Sequence, residues 1–388
     1  MSFHGVDYFG IADLLTEEER LVQASIRRFV DEELLPVIGR HFRDGTFDPS
    51  WPRRLGALGA LGASLTGYGC AGLGPVAYGL IMQELERGDS GVRSFASVQG
   101  ALVMYPIHSY GSDEQKDRWL PAMARGEAIG CFGLTEPDFG SNPAGMRLSA
   151  RAHGDEFVLN GEKRWITSGG LADVAVVWAK TDDGTVRGFL VPRGTPGFTT
   201  RDIHGKFSLR ASVTSELIFQ DCVVPRSALL PGVSGLRGPL SCLNQARFGI
   251  SFGVIGAAMA CYDEALNYTK ERAQFHKPLA GHQLVQLKLV DMLEEITKAQ
   301  LLSLQLGRLK EAGKARPQQV SLAKRNNVRM ALQCARTARD LLGANGITDE
   351  YQSGRHMCNL ESVFTYEGTD HIHTLIVGQD ITGQAAFD

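Results

Sequence analysis

The chain has little net charge: 40 Lys and Arg stand against 43 Asp and Glu, a formal balance of -3 over 388 residues. Both signs are mixed along most segments, so there is no long-range field to gather nucleic acid, and no nucleic-acid partner is expected. Cysteine pairs are missing too. The seven cysteines (Cys70, Cys131, Cys222, Cys242, Cys261, Cys334, Cys358) are scattered, odd in number and free of any CxxC spacing. That pattern argues against a disulfide framework and a zinc site; reduced, mostly buried thiols and no metal are expected. No apolar run approaches membrane-spanning length, and the first seven residues carry neither an apolar leader core nor an Arg-rich amphipathic pattern. The expected location is the cytoplasm, with no membrane partner. Internal repeats and low-complexity segments are also absent. What remains, 43% hydrophobic and 21% charged residues, is ordinary for a soluble protein of two or three domains.

Hydrophobic periodicity divides the chain into three. Thr16 and Glu19 form a capping-box signature, followed by Val22, Ile26, Phe29, Val30 and Leu34 at helical spacing before Pro36. Periodicity is weaker from 55 to 80, and a second helical block covers roughly Tyr78 to Arg87. After Gly133 the period changes. Alternation over Leu148 to Ala152, a turn at His153-Gly154-Asp155, then Phe157 to Leu159 and a second turn at Asn160-Gly161 predict a hairpin meander. Val174 to Lys180, a turn at Asp182-Asp183-Gly184, Gly188 to Pro192, Leu217 to Phe219 and Cys222 to Val224 continue it. From Gly238 helical periodicity returns, broken near Gly313 to Pro317 and near Gly343 to Gly346. The expectation is an α+β chain: a helical domain over 1–130, an antiparallel, barrel-like β domain over 131–235 and a helical bundle over 236–388.

Two formal motifs fail on context. Gly72-Leu73-Gly74-Pro75-Val76-Ala77 fits the dinucleotide pattern GxGxxG/A, but no clear strand precedes it and Pro75 interrupts it. Gly249-Ile250-Ser251-Phe252-Gly253 fits the GxSxG nucleophile elbow, yet lies inside a continuous helical stretch. A serine hydrolase using Ser251 with His371 or His373 is the rival of a different class.

The remaining candidates gain weight in combination. Thr365-Tyr366-Glu367-Gly368-Thr369 offers one carboxylate on a Gly-flanked turn, where N–H groups are free to face a ligand. Alone, Glu367 reads as a solvated loop residue. Cys131 to Pro137 and Gly140 to Pro143 build an irregular loop where helix gives way to sheet, and Arg164 to Ser168 set a flat ring beside hydroxyl donors. That pairing suits an aromatic cofactor, although Trp165 by itself reads as core. Arg272-Ala273-Gln274-Phe275 presents a guanidinium fork to a phosphate or to a surface carboxylate. Arg93 lies in a small, apolar stretch and needs an anionic partner or solvent.

Together these segments resemble the acyl-CoA dehydrogenase family from about residue 10 to the C-terminus. Within it the pattern looks most like the glutaryl-CoA dehydrogenase branch, through Gly67 to Gly72, Glu84 to Arg87, Asp89 to Gly91, Ser97 to Gln99, Gly205 to Ser212, and Cys242-Leu243-Asn244 leading to Ala246-Arg247. The resemblance implies an FAD enzyme, usually of four subunits, with an electron-transfer flavoprotein as acceptor. Carried over by position, Glu367 is the base that takes the α-proton of an acyl-CoA. Phe132, Leu134, Thr135, Trp165 and Thr167 surround the flavin, and Ser141 approaches the CoA or flavin phosphates. Thr369 and His371 fall on the FAD side of the base, while Arg272, Gln274, Phe275, Gly343 and Gly346 reach the FAD of a neighbouring subunit. Arg93, Ser94, Glu86 and Tyr366 match the positions that bind a distal carboxylate; Asn244 and Arg247 also fall on the substrate side.

The resemblance therefore implies oxidation of glutaryl-CoA, with decarboxylation to crotonyl-CoA because Glu86 and Tyr366 are both present. A non-decarboxylating enzyme and a dehydrogenase of another short acyl-CoA are the alternatives. In some relatives the base lies next to the arginine that is Arg247 here; Ala246 closes that option. Thr369 to His373, Gly169-Gly170 and Ala344 depart from the branch pattern.

Overall fold

The computed structural model describes Phe3 and residues 5 to 386. Helix α1 (Glu17–Phe29) starts at the expected box: the Glu19 N–H donates to Thr16 Oγ1 at 3.3 Å, and the Thr16 N–H donates to Glu19 Oε2 at 2.8 Å. A π-helical turn over Val30–Leu34 leads into α2 (Leu35–Asp44), which Gly45 ends in a left-handed conformation. Then follow α3 (Trp51–Ala57), α4 (Pro75–Gly88), α5 (Ser90–Ser97), α6 (Tyr105–Tyr110) and α7 (Asp113–Ala124). All of α5 and every residue of α4 after Pro75 are buried. A helix enclosed on all sides has no polar face, which is why periodicity was weak as the sequence approaches α4.

The β region contains β1 (Gly130–Gly133), β2 (Ser149–His153), β3 (Glu156–Thr167), β4 (Val174–Thr181), β5 (Val186–Pro192), β6 (Phe198–Asp202) and β7 (Thr214–Pro225). The order is β1-β4-β2-β3-β7-β6, with β5 on the other edge of β4. The sheet is mixed, which corrects the purely antiparallel expectation. β1 and β2 share one edge of β4 and both run parallel to it, β1 against Val174 to Val177 and β2 against Lys180 and Thr181.

Asn160-Gly161 is also corrected. It is an irregularity inside β3, where pairing with β7 shifts register between Leu159 and Gly161. Gly161 has φ 134, and a Cβ there would approach Leu148 Cα to 2.9 Å, so the bulge brings two backbones together. β6 was missed because four of its five residues are exposed and carry no apolar alternation.

Helix α8 (Arg237–Glu271) opens the last region, followed by a short hairpin of β8 (Ala273–Gln274) and β9 (Lys277–Pro278). Next come α9 (Gln283–Glu311), α10 (Pro317–Leu341), a 3-10 turn over Gly343–Ile347, α11 (Gln352–Thr365) and α12 (Asp370–Thr382). Both expected breaks coincide with helix ends. All seven cysteines are free, five of them buried. Among the described residues no helix is long and apolar enough to cross a membrane.

α4 and α8 cross closely because glycines line the contact. A Cβ on Gly256 would collide with the Gln83 carbonyl, and one on Gly79 would lie 2.6 Å from the Phe252 ring. Gly378 of α12 has nothing within 4 Å of a Cβ. Gly256→Ala is therefore expected to cost roughly 1–3 kcal/mol through overpacking, whereas Gly378→Ala should be neutral or stabilising by up to about 1 kcal/mol through helix propensity. Thermal unfolding of both variants checks the opposite signs.

Candidate active site

The α11–α12 connection is a tight turn gripped from outside. Glu367 has φ 51 and Gly368 φ 91. Such a left-handed pair needs external support, and each of its carbonyls has a cationic donor. Lys324 Nζ of α10 donates to the Tyr366 and Gly368 carbonyls, both at 2.6 Å, and Arg247 Nε of α8 donates to the Glu367 carbonyl at 2.7 Å. Thr369 caps α12, its Oγ1 accepting from the Ile372 N–H at 3.1 Å. Asp370 then accepts from Arg329 at 2.6 and 2.5 Å. A Cβ on Gly368 would lie 2.8 Å from Nε2 of the buried His373, so the turn has no room for a side chain.

The Glu367 residue keeps part of its surface open, but Oε2 is shut off from solvent and has no partner. Burial raises the carboxyl above its ordinary pKa, while Arg93, Lys324 and Arg247 pull the other way. A raised carboxyl is the kind of group that general-base chemistry would use.

A second polar group is buried beside it. Arg93 of α5 is fully buried; Nε donates to Glu86 Oε2 at 2.6 Å and Nη2 to Glu86 Oε1 at 3.2 Å. Nη2 also donates to the Tyr366 hydroxyl. Gly253 of α8 makes room, since a Cβ there would collide with Glu86 Oε2. Nη1 is buried and unpartnered; the buried Tyr78 hydroxyl lies in the same cluster and interacts with the Ser97 side chain. Tyr78 feels the charges of both Glu367 and Arg93, and burial pushes its phenol up to about 12. An unpaired donor is costly in an interior, and a ligand bringing an acceptor to Nη1 would remove that cost. Among the groups acting on Glu367, the charges are three cations (Arg93, Arg247, Lys324) and one further carboxylate, Glu86.

Phe132 and Leu134 are buried on β1 and just after it, and Thr135 and Thr167 are half-buried. The Arg164 N–H donates to the Thr135 carbonyl at 2.8 Å, which sets the β1 loop against β3. Buried Lys163 strengthens that join, donating to the Leu134 carbonyl at 3.0 Å and Glu136 Oε1 at 2.9 Å. Trp165 is not core: it has φ 63 and is 56% exposed. Asn244 is half-buried on α8, while Ser141 and His371 are exposed. Ser94 is buried on α5.

Arg272, Gln274 and Phe275 lie at the end of α8 and on its exposed hairpin, and Gly343 and Gly346 in the 3-10 turn. No hydrogen bond or ion pair among the described residues joins these five to the Glu367 cluster. Phe275 is 85% exposed.

Lys324, Tyr78, Lys163 and the packing role of His373 were not foreseen. Lys324 stands in Ala323-Lys324-Arg325-Asn326-Asn327, which reads as a solvated face; only the tertiary fold buries it. The rival nucleophile is excluded. Ser251 is fully buried in α8 and its Oγ donates back to the Phe248 carbonyl at 2.7 Å, while the flanking Gly249 and Gly253 give space to Tyr78 and Glu86. The Gly72 to Ala77 segment is a loop entering α4 with no strand before it.

Family models for the acyl-CoA dehydrogenase N-terminal, middle and C-terminal domains match residues 16–127, 131–222 and 234–382. The chain belongs to the acyl-CoA dehydrogenase family. It is similar to a crystal structure of a glutaryl-CoA dehydrogenase from Mycobacterium smegmatis in complex with FADH2, with 55% identity, a TM-score of 0.98 and coverage of 99% of each chain. A structure of a glutaryl-coenzyme A dehydrogenase glutaryl-CoA complex is 31% identical at TM-score 0.90, covering 95% of this chain and 96% of the other. The short-chain specific acyl-CoA dehydrogenase of Homo sapiens mitochondria is 34% identical over 370 residues, 94% of this chain and 90% of that protein.

Ser251→Ala loses one hydrogen bond to a helix carbonyl and nothing catalytic. It should lower stability by about 1 kcal/mol and leave oxidation of acyl-CoA unchanged, as measured by thermal melts and dye reduction.

Proposed function

We propose that the protein is an FAD-dependent glutaryl-CoA dehydrogenase that oxidises the Cα–Cβ bond and releases CO2, forming crotonyl-CoA. The carrying observation is the Arg93 Nη1, buried and unpartnered in the same cluster as a carboxylate of raised pKa. A distal carboxylate on the acyl chain supplies the acceptor that this donor lacks; a fatty acyl tail does not. The likeness to glutaryl-CoA dehydrogenases supports the same substrate.

FAD fits what the chain presents. An exposed indole, two half-buried threonines and buried Phe132 and Leu134, all on or next to β1 and β3, would line a flat-ring site there. When bound, FAD accepts the hydride lost from the β-carbon of the acyl chain. Ser141, Thr369 and His371 are proposed to meet its phosphate side or that of CoA, and Asn244 the CoA ester. Exposed Arg272, Gln274 and Phe275, with Gly343 and Gly346, are proposed to complete the FAD site of a neighbouring copy in a homotetramer. The protein would act in the cytoplasm and pass electrons to an electron-transfer flavoprotein.

The chain's own steps follow from the charges. Arg93, seconded by Tyr366 and Ser94, fixes the distal carboxylate and so the depth of the acyl chain. Glu367 takes the α-proton, and its backbone N–H steadies the oxygen of the developing enolate. The oxidised acyl chain then loses its distal carboxylate as CO2, leaving the bonding pair delocalised toward the thioester. Neutral Glu367 returns its proton to the γ-carbon. Glu86 favours this second stage, because it already occupies two donors of Arg93 and leaves that guanidinium paired when the carboxylate departs.

Glu367→Gln should retain FAD and acyl-CoA binding but lose flavin reduction by several orders of magnitude, read by stopped-flow bleaching; near-normal reduction would remove Glu367 as base. Arg93→Met, combined with Glu86→Gln so that no buried charge is stranded, should lower kcat/KM for glutaryl-CoA at least roughly a hundredfold more than for butyryl-CoA. Equal losses on the two substrates would remove the carboxylate-binding role.

A further inference from the structure

Lys324 is not needed for the chemistry just described, yet it is among the most constrained groups in the molecule. Its side chain rises from α10, is 1% exposed, and ends between the carbonyls of Tyr366 and Gly368, the residues on either side of Glu367. Among the described residues no carboxylate lies within ion-pair distance of Nζ. Asp370, the nearby acid on α12, is already paired with Arg329 and lies 3.8 Å from Arg325. The other groups facing the ammonium are Arg247 from α8, Arg93 from α5, the Tyr366 ring at 5.9 Å, and His373 from α12, which burial holds neutral. Neutral donors would serve two carbonyls equally well without burying a charge. The anion left for this charge is Glu367.

We infer that Lys324 is a positioning residue for Glu367: its ammonium clamps the backbone on both sides of the base, and its charge offsets the burial of that carboxylate. The inference rests on Glu367 being the base. Burial and the neighbouring Arg247 and Arg93 drive the lysine itself down to about 7, with Glu367 opposing them. The two groups therefore share one electrostatic balance. While the lysine is charged, Glu367 is held ionised and competent to take a proton. Once Glu367 has accepted the α-proton, the ammonium disfavours that neutral form and promotes its return.

The sign follows. Removing a nearby cation raises the pKa of a carboxylate, and a base must be ionised to act, so the acidic limb of kcat/KM moves to higher pH. Lys324→Met removes clamp and charge, and Lys324→Gln keeps an N–H donor but no charge. FAD content and melting temperature establish that each variant is folded holoenzyme. With glutaryl-CoA and a dye acceptor, both should lose at least about tenfold in kcat/KM near pH 6 and recover to within about threefold of their own plateau near pH 8.5. Gln should retain more plateau activity than Met. A factor that is the same at every pH, with the acidic limb where wild type has it, would overturn the charge role and leave Lys324 as structural support. Wild-type turnover is the control. Its absence would defeat the proposed substrate or base, whereas turnover with unmoved limbs in both variants defeats only the role assigned to Lys324.

Discussion

Three carbonyls in a row, those of Tyr366, Glu367 and Gly368, are each held by a cationic side chain from another helix. The grip solves a conflict in the backbone. A glutamate with positive φ costs roughly 1–2 kcal/mol, and hydrogen bonds from charged donors return about 1.5–3 kcal/mol each. With its main chain fixed from α8 and α10, Glu367 has no need to spend its carboxylate on holding itself in place. That is why Oε2 remains unpaired in a buried setting. The same cations that fix the turn limit how far burial raises the carboxyl, so its basicity and its position have one cause.

The space for this arrangement comes from the glycine-lined contact of α4 and α8. Gly249 and Gly253 leave room for Tyr78 and for the Glu86–Arg93 pair, and Gly256 allows the helices to approach at the Gln83 carbonyl. An ion pair buried this deeply adds little net stability, and its desolvation is a cost. On the proposed reading what it supplies is selectivity: one guanidinium nitrogen, held at a fixed depth and without a protein partner, would meet the distal carboxylate. The two halves of the site are joined by polar anchors. Lys163 ties the β1 loop to β3, and Asn359 of α11 both accepts from the Leu209 N–H at 2.8 Å and donates to Asp89, the cap of α5, at 2.9 Å. The β sheet, the base turn and the helix carrying Arg93 thus share one framework.

Sequence patterns revealed what local chemistry determines. The Thr16–Glu19 box, the helix breaks around Gly313 and Gly343, and the change of period near Gly133 all correspond to element boundaries in the structure. Arg93 was legible as a candidate because it is chemically out of place in its local stretch, whereas Glu367 read alone as a solvated loop residue and stood out only in combination with the other segments. The parallel edge of β4 was not legible, since pairing between β1 and β4 depends on contacts more than 40 residues apart and leaves no local mark. Asn160-Gly161 has hairpin chemistry but serves as a bulge because Leu148 packs against it. Lys324 reads as a surface lysine in every local respect; its burial is decided by α8, α12 and the base turn together. A buried cation on an apparently polar helix face is a feature that only the assembled fold discloses.

The most direct test of the central claim, that the site couples a buried base to recognition of a distal carboxylate, is anaerobic mixing of the holoenzyme with glutaryl-CoA. Flavin bleaching is followed first, and the CoA product is identified by mass after an acceptor is added. The account predicts bleaching, then crotonyl-CoA with one CO2 released per turnover. Accumulation of glutaconyl-CoA would contradict the decarboxylating step, and absence of bleaching by glutaryl-CoA alongside bleaching by butyryl-CoA would contradict the role of Arg93 on which the account is built.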